Sequence, residues 1–371
     1  MNPRSVRLLY RFGDGQQDGS DIENPLFDML AAVAGEGSIQ GAAKRLDLSY
    51  RHLWGSLKEW ESVLGEALIT WIRGQPARLT PFAERLLWSE RQARVRLQPH
   101  IEALRSELRR VLDEALDGDM QVLRVDASHD LLLPSLQQIA AQGGLHIALR
   151  FAGSLDALRS LAEGRCVVAG FHVPPMSRSE HYAQALKARL QPGRHKLIGA
   201  MKRTQGLMVA PGNPLRIQHL NDVVQQRLRF VGREEGSGTH LLLEHLLARE
   251  DLKLSAMNTT SQEVSHLAAA TAVASGRGDV ALGLEAAARR LNLDFLPLVQ
   301  EDYFLACLSD ALNTPAVTLL RASLHQGQWL DLVSQTVGYA PTEQSGEVLS
   351  LTRSLPWWQF RSGKESDSPQ R

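Results

Sequence analysis

Three short segments of this 371-residue sequence place small residues and hydroxyl groups directly after apolar runs. They read Ala127-Ser128-His129-Asp130, Ala152-Gly153-Ser154-Leu155 and Glu235-Gly236-Ser237-Gly238-Thr239. If each ends a strand and begins a helix, it offers free backbone N–H groups, a hydroxyl and the positive end of a helix dipole. Together the segments predict a neutral cage for an anion that needs no lysine or arginine. Each one alone is more typical of an ordinary helix cap.

Histidines add further candidates for the walls of this cage. His129, His172 and His266 are candidate hydrogen-bond donors to a ligand, or else ordinary satisfied polar residues. A metal site is disfavoured, because His240 and His245 are five residues apart and do not share a helix face. No cysteine or carboxylate completes a ligand set beside them.

Two larger side chains have alternative interpretations. Tyr303 could close over a ligand, although an aromatic residue in a strand is more typical of the core. Arg233 is a candidate ligand contact, but it could instead pair with Glu235 or with an acid of another lobe.

Enzyme motifs are missing from the sequence. Gly236-Ser237-Gly238 lacks the G-x-S-x-G elbow, and no P-loop pattern occurs. Cys166 has no evident base nearby, and with Cys307 it fits two buried thiols in a reducing cytoplasm better than a disulfide framework. We therefore expect a protein that is not an enzyme and has no covalent cofactor.

The elements that position the cage form an α/β pattern. From Gln121 the apolar runs VLRVDA, LHIALRF and CVVAGFHV alternate with helical segments, which predicts a mostly parallel sheet. The stretch KLIGAMKRTQGLMVAPGNP is expected to cross to a second lobe of the same kind. The helices at 316–324 and 329–337 are expected to return to the first lobe.

The stretch SIQGAAKRLDLSYRHLWGSLKEW predicts a helix, a turn and a second helix. Ser38 and Ser49 are N-caps, and Ala42 and Ala43 give the first helix a face for close packing. In the second helix the four- and three-residue spacings predict a buried stripe, and the opposite face carries polar residues of the kind that contact bases and phosphates. The stripe is Leu53, Leu57, Trp60 and Leu64, and the polar face is Tyr50, Arg51, His52, Gly55 and Ser56.

A basic wing is predicted after this helix. Trp71-Ile72-Arg73 and Arg78-Leu79-Thr80 are two short strands around a Gly-Gln-Pro-Ala turn, and Arg73 and Arg78 can reach phosphates or the minor groove. A small helical bundle with a polar face is the weaker alternative. The net charge is zero, with 41 basic and 41 acidic residues, so the protein does not coat nucleic acid as a whole.

A further helix carries an apolar heptad pattern. Because a palindromic operator needs two copies of a recognition helix, we expect a homodimer through this helix, although a packed intramolecular helix fits the pattern equally well. The pattern consists of Leu97, Ile101, Leu104, Leu108, Val111 and Ala115.

The N-terminal motifs resemble the winged helix of ModE-type molybdate-responsive regulators, which are related to LysR-type ones. The resemblance covers about 24–87 and implies that Ser49, Tyr50 and Arg51 lie at the DNA. It is carried by Gly37-Ser38-Ile39, Ala42-Ala43-Lys44, Leu48-Ser49-Tyr50, Leu53-Trp54, Leu64-Gly65 and Leu79-Thr80-Pro81.

The segment 121–339 resembles the type II periplasmic-binding-protein-like domain. This resemblance implies two lobes that close around molybdate, tungstate or another small anion, with Ser128, Ser154, Ser237 and Thr239 at the ligand. The β-barrel molybdate domain of ModE-type regulators is not recognisable, so the identity of the oxyanion does not follow. The motifs are Arg233 with Gly236-Ser237-Gly238-Thr239, Glu263-Val264-Ser265-His266, Gly276 to Val280, Leu293 to Leu298, Pro211 to Pro214 and Ala169 to His172.

These observations predict a cytoplasmic, dimeric transcription regulator that binds palindromic double-stranded DNA, responds to a small anion and does not contact a membrane. Molybdate or tungstate is the first candidate effector, and an organic anion or metabolite is the second. A cofactor-handling protein that does not bind DNA is the least favoured reading. The expected division is a tail at 1–20, a winged helix-turn-helix at 21–88, a linker helix at 89–117, the ligand domain at 120–340 and a tail at 341–371.

Overall fold

The computed structural model describes residues 24–70, 76–116, 120–174, 180–355 and 357. The chain forms two compact units, of which the first ends at Arg94 and the second begins at Val95. No helix in the described part of the chain has the length and apolarity that crossing a bilayer requires.

The first unit is a helix-turn-helix whose helix ends follow from its capping residues. Asn24, Ser38 and Ser49 each accept a backbone N–H bond at the start of a helix, which stabilises a helix by about 1 kcal/mol. Gly37 and Gly65 end two helices in left-handed conformations, with φ of 61° and 72°. The helices are α1 (Pro25–Glu36), α2 (Ile39–Arg45) and α3 (Tyr50–Leu64).

The predicted apolar stripe of α3 is only partly buried. Leu53 and Leu57 lie in the core with Ala42 and Ala43, as expected, but Trp60 is 37% exposed. The seven-residue α2 is too short to cover all fifteen residues of α3, so the C-terminal turns of α3 extend beyond it. The expectation that Trp60 is buried is therefore corrected.

Two short antiparallel strands follow α3. They are β1 (Ile69–Thr70) and β2 (Arg78–Leu79). Glu61 fixes the approach to β1, because its carboxylate accepts the backbone N–H of Leu68 at 2.8 Å. The predicted strand at Trp71-Ile72-Arg73, and with it Arg73, lies outside the described residues.

One helix, α4 (Pro81–Leu116), begins directly after the wing and includes most of the expected linker helix at 89–117. It contains Pro99 without ending there. Of the predicted heptad residues, Leu97 is 37% and Leu104 is 50% exposed, while Ile101 and Leu108 are partly buried. The boundary predicted at Asp117-Gly118-Asp119 lies outside the described residues.

The second unit contains a large mixed sheet in two lobes. Lobe 1 has parallel strands β3, β4 and β5, and lobe 2 has parallel strands β7, β8 and β9. The long strands β6 and β10 pair antiparallel between the lobes, so the sheet is parallel only at its two ends. The strands are β3 (Gln121–Ala127), β4 (Leu145–Phe151), β5 (Val168–Val173), β6 (His195–Val209), β7 (Arg229–Arg233), β8 (Asn258–Glu263), β9 (Val280–Leu284) and β10 (Asp294–Leu308).

Helices cover the sheet and complete the lobes. The predicted crossing by KLIGAMKRTQGLMV is confirmed as the fifteen-residue β6, and α12 packs back on α5 of lobe 1 as expected. The helices are α5 (Leu133–Gln142), α6 (Ser154–Ala162), α7 (Glu180–Lys187), α8 (Leu220–Gln225), α9 (Gly238–Arg249), α10 (His266–Ala274), α11 (Glu285–Arg290), α12 (Pro315–His325) and α13 (Gly327–Gln335). Two 3₁₀ turns lie at Leu254–Ala256 and Ser309–Asn313.

The chain beyond 340, expected to be a tail, adds further elements to this unit. Strands β11 (Tyr339–Ala340) and β12 (Val348–Ser350) both pair with β6. A one-turn helix, α14 (Leu351–Ser354), follows them, and its Leu351 is buried against lobe 1. The last segment, 358–371, lies outside the described residues.

Candidate functional site

A cavity of about 310 Å³ lies in the second unit and brings together nearly all of the predicted ligand residues. Its walls come from the ends of β3, β4 and β7 and from the starts of α6, α9 and α10. This volume is at the lower end of the range of about 300 to 1,000 Å³ for small-molecule sites. The predicted residues that line it are Ser128, His129, His172, Arg233, Ser237, Gly238, Thr239 and His266, whereas Ser154 is not among the lining residues.

Tyr303 does not line the cavity. Its ring is fully buried, and its hydroxyl donates to the Ser128 carbonyl at 2.8 Å and accepts from Ser128 Oγ at 3.1 Å. The expectation that Tyr303 closes over a ligand is therefore corrected. Tyr303 lies on β10 with its side chain in the core, and its hydrogen bonds hold Ser128 in position.

The segment at Ser128 is not a helix start. The next helix, α5, begins five residues later at Leu133 and has no side-chain cap. The helix starts later because the Asp130 carboxylate accepts the Leu132 N–H at 2.8 Å and stabilises the loop between Ser128 and α5. Of the three expected helix N-termini, those of α6 and α9 therefore lie at the cavity, and the start of α10 joins them through His266.

The N-termini of α6 and α9 meet at the cavity through glycines. A Cβ on Gly153 would lie 2.5 Å from the Gly236 carbonyl, and one on Gly238 would lie 2.2 Å from His172 Nε2. Ser237 caps α9 by accepting the His240 N–H at 3.1 Å. Glycine at these positions thus allows a close approach between lobe 1 and lobe 2.

Ser154, the first residue of α6, has an unsatisfied hydroxyl. The residue is 2% exposed, and its Oγ has no hydrogen-bond partner. A buried polar group without a partner costs about 1 to 3 kcal/mol. Ser154 does not line the cavity, and its Oγ lies beside Gly238, 2.5 Å from where a Cβ on that glycine would be.

Arg233 places a buried cation in the cavity wall. Its Nε donates to the Glu263 carbonyl and its Nη2 to the Val264 carbonyl, each at 2.9 Å, while Nη1 is buried and has no partner. Burial and the nearby Arg203 lower its pKa to about 10, although Glu234 and Glu263 act in the opposite direction, and it is protonated at neutral pH. Within the described part of the chain it forms no ion pair. The predicted neutral cage is therefore corrected to a site with a buried cation.

A buried ionic network lies beneath this cation. Arg203 on β6 donates to Glu301 at 2.6 Å and to Asp130 at 2.9 Å, and His172 Nδ1 lies 2.7 Å from Glu301. Burial alone would raise the pKa of Glu301, but His172 and Arg203 hold it at about 2. This carboxylate fixes His172 so that Nε2 faces Gly238.

Three of the four histidines in the walls are neutral. Burial lowers the pKa of His129 to about 3 and lowers those of His172 and His266 as well, and neighbouring arginines contribute to each shift. His266 Nδ1 is buried without a partner. No group of three or more His, Cys, Asp or Glu side chains in the described ranges is arranged to hold a metal ion.

Sequence reasoning missed several residues of the site. Glu234, Glu235 and Asp156 place exposed carboxylates around the cavity, and Arg150 lies beside them in an ion pair with Asp126. His100 of α4 also lines it. Glu234 and Glu235 adjoin a predicted helix start and could have been noticed, but nothing in the sequence places α4 beside β7.

The predicted DNA-contact residues of α3 lie on an accessible surface. Tyr50 is 50% exposed, Arg51 and His52 are exposed, and Ser56 is half-buried. Ser38 and Ser49 cap α2 and α3 by accepting the Gly41 and His52 N–H groups. The N-terminus of α3 is of the kind that commonly binds phosphate groups. Arg78 on β2 is exposed as well.

Two family models match the chain, one in each unit. A model described as "PBP superfamily domain" matches residues 136–325, about half of the chain. The chain belongs to the PBP superfamily. A model described as "Bacterial regulatory helix-turn-helix protein, lysR family" matches residues 26–84. The first unit therefore matches a LysR-family DNA-binding helix-turn-helix, and together with the second unit it supports a DNA-binding transcriptional regulator with an effector-binding domain.

Individual proteins are also similar to this PBP-superfamily chain. YvgK of Bacillus subtilis (strain 168) is 29% identical over 233 residues, which are 61% of this chain and 72% of YvgK. Full-length BenM is 19% identical with a TM-score of 0.41, covering 81% of this chain and 95% of BenM. The regulator LysG of Corynebacterium glutamicum, with bound effector Arg, is 18% identical with a TM-score of 0.40, covering 86% of this chain and 100% of LysG.

Proposed function

We propose that this regulator senses a small anion, which binds in the cavity with a negatively charged oxygen against Arg233 Nη1. The observation that carries the proposal is the buried guanidinium group that has two backbone partners and no ion pair among the described residues. An isolated buried charge is costly, whereas a hydrogen-bonded ion pair with a ligand satisfies it.

Further donors around Arg233 suit the same anion. The N-termini of α6 and α9 add backbone N–H groups of positive potential at the cavity. His129, His172 and His266 in the walls are neutral, and none of the carboxylates that line the cavity is fully buried. A dense set of donors is what a tetrahedral oxyanion requires, and with the ModE-type resemblance it favours molybdate or tungstate as the effector.

A second candidate is a small organic acid that also carries a cationic group. The cavity of about 310 Å³ exceeds the needs of a five-atom oxyanion, and exposed carboxylates of Asp156, Glu234 and Glu235 surround it. A zwitterion could place its carboxylate at Arg233 and its ammonium group near these acids.

In this proposal the protein is a cytoplasmic homodimer joined through α4, and it binds a palindromic operator with the N-terminal turns of α3 and with Arg78. The effector shifts the population of conformations that fit the operator. The exposed Leu97 and Leu104 support the dimer, because two such faces can cover each other.

Calorimetry with the full-length protein tests the effector. We expect heat with at least one of molybdate, tungstate, sulfate, succinate and glycine, and a loss of affinity of at least tenfold in Arg233→Gln. Arg229→Gln is the matched control, because Arg229 lies on the same strand and pairs with Asp279 at the surface. Absence of heat with all five probes would remove the proposal. Binding heat with molybdate or tungstate would support the oxyanion as the effector, and binding heat with glycine would support the zwitterionic organic acid.

A further inference from the structure

Helix α4 places two residues near the cavity from one of its faces. Arg96 and His100 are four residues apart and therefore lie one turn apart on the same side of the helix. His100 lines the cavity and contributes to the lowered pKa of His129, which also lines it. The same helix begins at Pro81, directly after the wing.

Arg96 attaches α4 to the end of β8. Its Nε and Nη2 donate to the two carboxylate oxygens of Glu263 at 2.9 and 2.7 Å, a bidentate pair. Glu263 is 1% exposed, and its hydrogen bond raises the pKa of Arg96. A bidentate pair defines direction as well as distance, so the pair between Arg96, whose side chain is 46% exposed, and the buried Glu263 positions α4 against this strand end.

The segment that binds Arg96 also holds Arg233. The Glu263 carbonyl accepts Arg233 Nε and the Val264 carbonyl accepts Nη2, while the next residues lead to His266 in the cavity wall. The carboxylate of Glu263 thus faces α4 while its carbonyl faces the cation of the site. A shift of Arg233 towards an anion would therefore move the backbone at Glu263 and Val264, and the Glu263 side chain positions α4.

We propose that α4 is a wall of the anion site, with His100 in contact with the bound anion and the Arg96–Glu263 pair coupling occupancy of the cavity to the position of α4. This inference rests on the proposed anion site and assigns it a means of control. The coupling is direct, because the Arg96 ion pair and both hydrogen bonds from Arg233 go to the same two residues, Glu263 and Val264. By linkage, any change that α4 undergoes on DNA binding alters anion affinity by the same factor.

Titration of the full-length protein with sodium molybdate, and in parallel with glycine and with succinate, tests the contact. For the probe that binds, we expect His100→Ala to weaken affinity about tenfold and His100→Gln to recover part of the loss, because glutamine retains a donor. His325→Ala is the control, since His325 is exposed and lies outside the cavity walls. Alanine favours a helix, so His100→Ala should fold.

Hydrogen exchange of peptides covering 95–108 tests the coupling. The bound probe should slow exchange in these peptides in the wild type and in Arg94→Ala, whose arginine pairs with Glu90 within the helix. This response should disappear in Arg96→Ala and in the double variant Arg96→Ala/Glu263→Gln, which also removes the buried charge of Glu263.

The outcomes separate the two proposals. A wild type that binds none of the probes overturns the proposed function and this inference with it. If the wild type binds a probe, then unchanged affinity in His100→Ala overturns the contact. Ligand-dependent protection that survives in both Arg96 variants overturns the coupling.

Discussion

Arg203 and Glu301 form a fully buried ion pair, with Nε 2.6 Å from Oε1, between the two long strands β6 and β10. Gln205, His172 and Asp130 add hydrogen bonds around it, although Arg203 Nη2 is buried without a partner. Arg233, the other buried arginine near the cavity, has only carbonyl partners for two of its nitrogens and none for Nη1. One arginine is thus compensated by the protein, and the other is available to a ligand.

Removing the charged partner of Arg203 should destabilise the protein much more than removing Arg233 itself. Glu301→Gln leaves Arg203 underpaired in the interior and should lower the free energy of unfolding by about 3 to 5 kcal/mol. Arg233→Gln removes a buried cation that forms no ion pair among the described residues, so the ligand-free protein should stay within about 1 kcal/mol of the wild type. Urea denaturation without ligand measures both. Equal destabilisation by the two substitutions would contradict the assignment of Arg233 to a ligand.

A methyl group at the contact between α6 and α9 should disturb the cavity. A Cβ at Gly238 would lie 2.2 Å from His172 Nε2 and 2.5 Å from Ser154 Oγ, so Gly238→Ala must separate the two helix starts. We expect a loss of anion affinity of at least tenfold by calorimetry, because a 1.4 kcal/mol change suffices for that factor. Gly327→Ala is the control, since nothing lies within 4 Å of a Cβ there. Wild-type affinity in Gly238→Ala would show that the contact does not shape the site.

The buried histidines should make stability depend on pH. The pKa of His129 is about 3 in the folded protein and about 6.5 when unfolded, so the unfolded state binds the extra proton between these values. Stability is therefore full above about pH 6.5 and falls as the pH is lowered towards 3, by about 1.4 kcal/mol per pH unit for this residue. Denaturation at pH 7 and pH 5 should show a smaller pH effect in His129→Gln than in the wild type. The same pH effect in both proteins would argue that His129 is protonated when folded.

Loss of one arginine from α3 should weaken DNA binding through phosphate contacts. Arg51→Ala should lower affinity for a duplex and reduce the slope of log K against log salt by about 1, since each phosphate contact releases about one counterion. Arg290→Ala serves as the control, because Arg290 is an exposed arginine of α11 in the other unit. Fluorescence anisotropy at several salt concentrations measures both. An unchanged slope in Arg51→Ala would place this residue away from the backbone of the DNA.

A charge on the exposed face of α4 should separate the subunits. Leu104 is 50% exposed, and Leu104→Asp puts a carboxylate where the heptad pattern expects a partner leucine. Light scattering should report dimer for the wild type and monomer for this variant. Leu215→Asp, at a residue 38% exposed outside the helix, should leave the mass unchanged. A monomeric wild type would rule out the proposed dimer.

Local patterns in the sequence were enough to predict the helix-turn-helix and the two-lobed domain. The caps Ser38 and Ser49 and the Leu53–Leu57 spacing act within a few residues, so their effect can be predicted without the rest of the molecule. The same applies to Ser237, which caps α9 as expected. The alternation of strands and helices likewise indicated the parallel ends of the sheet.

Only the tertiary structure decided what each candidate side chain does. Ser128 and Tyr303 are 175 positions apart, yet they share two hydrogen bonds, which makes the tyrosine a support and not a lid. The missing partner of Arg233 and the approach of His100 depend on which elements pack together. Burial and pairing are properties of the space around a group, and that space is formed by residues far away in the chain. For this reason the sequence could indicate an anion site, but the charge within it and the helix beside it became visible only in the folded protein.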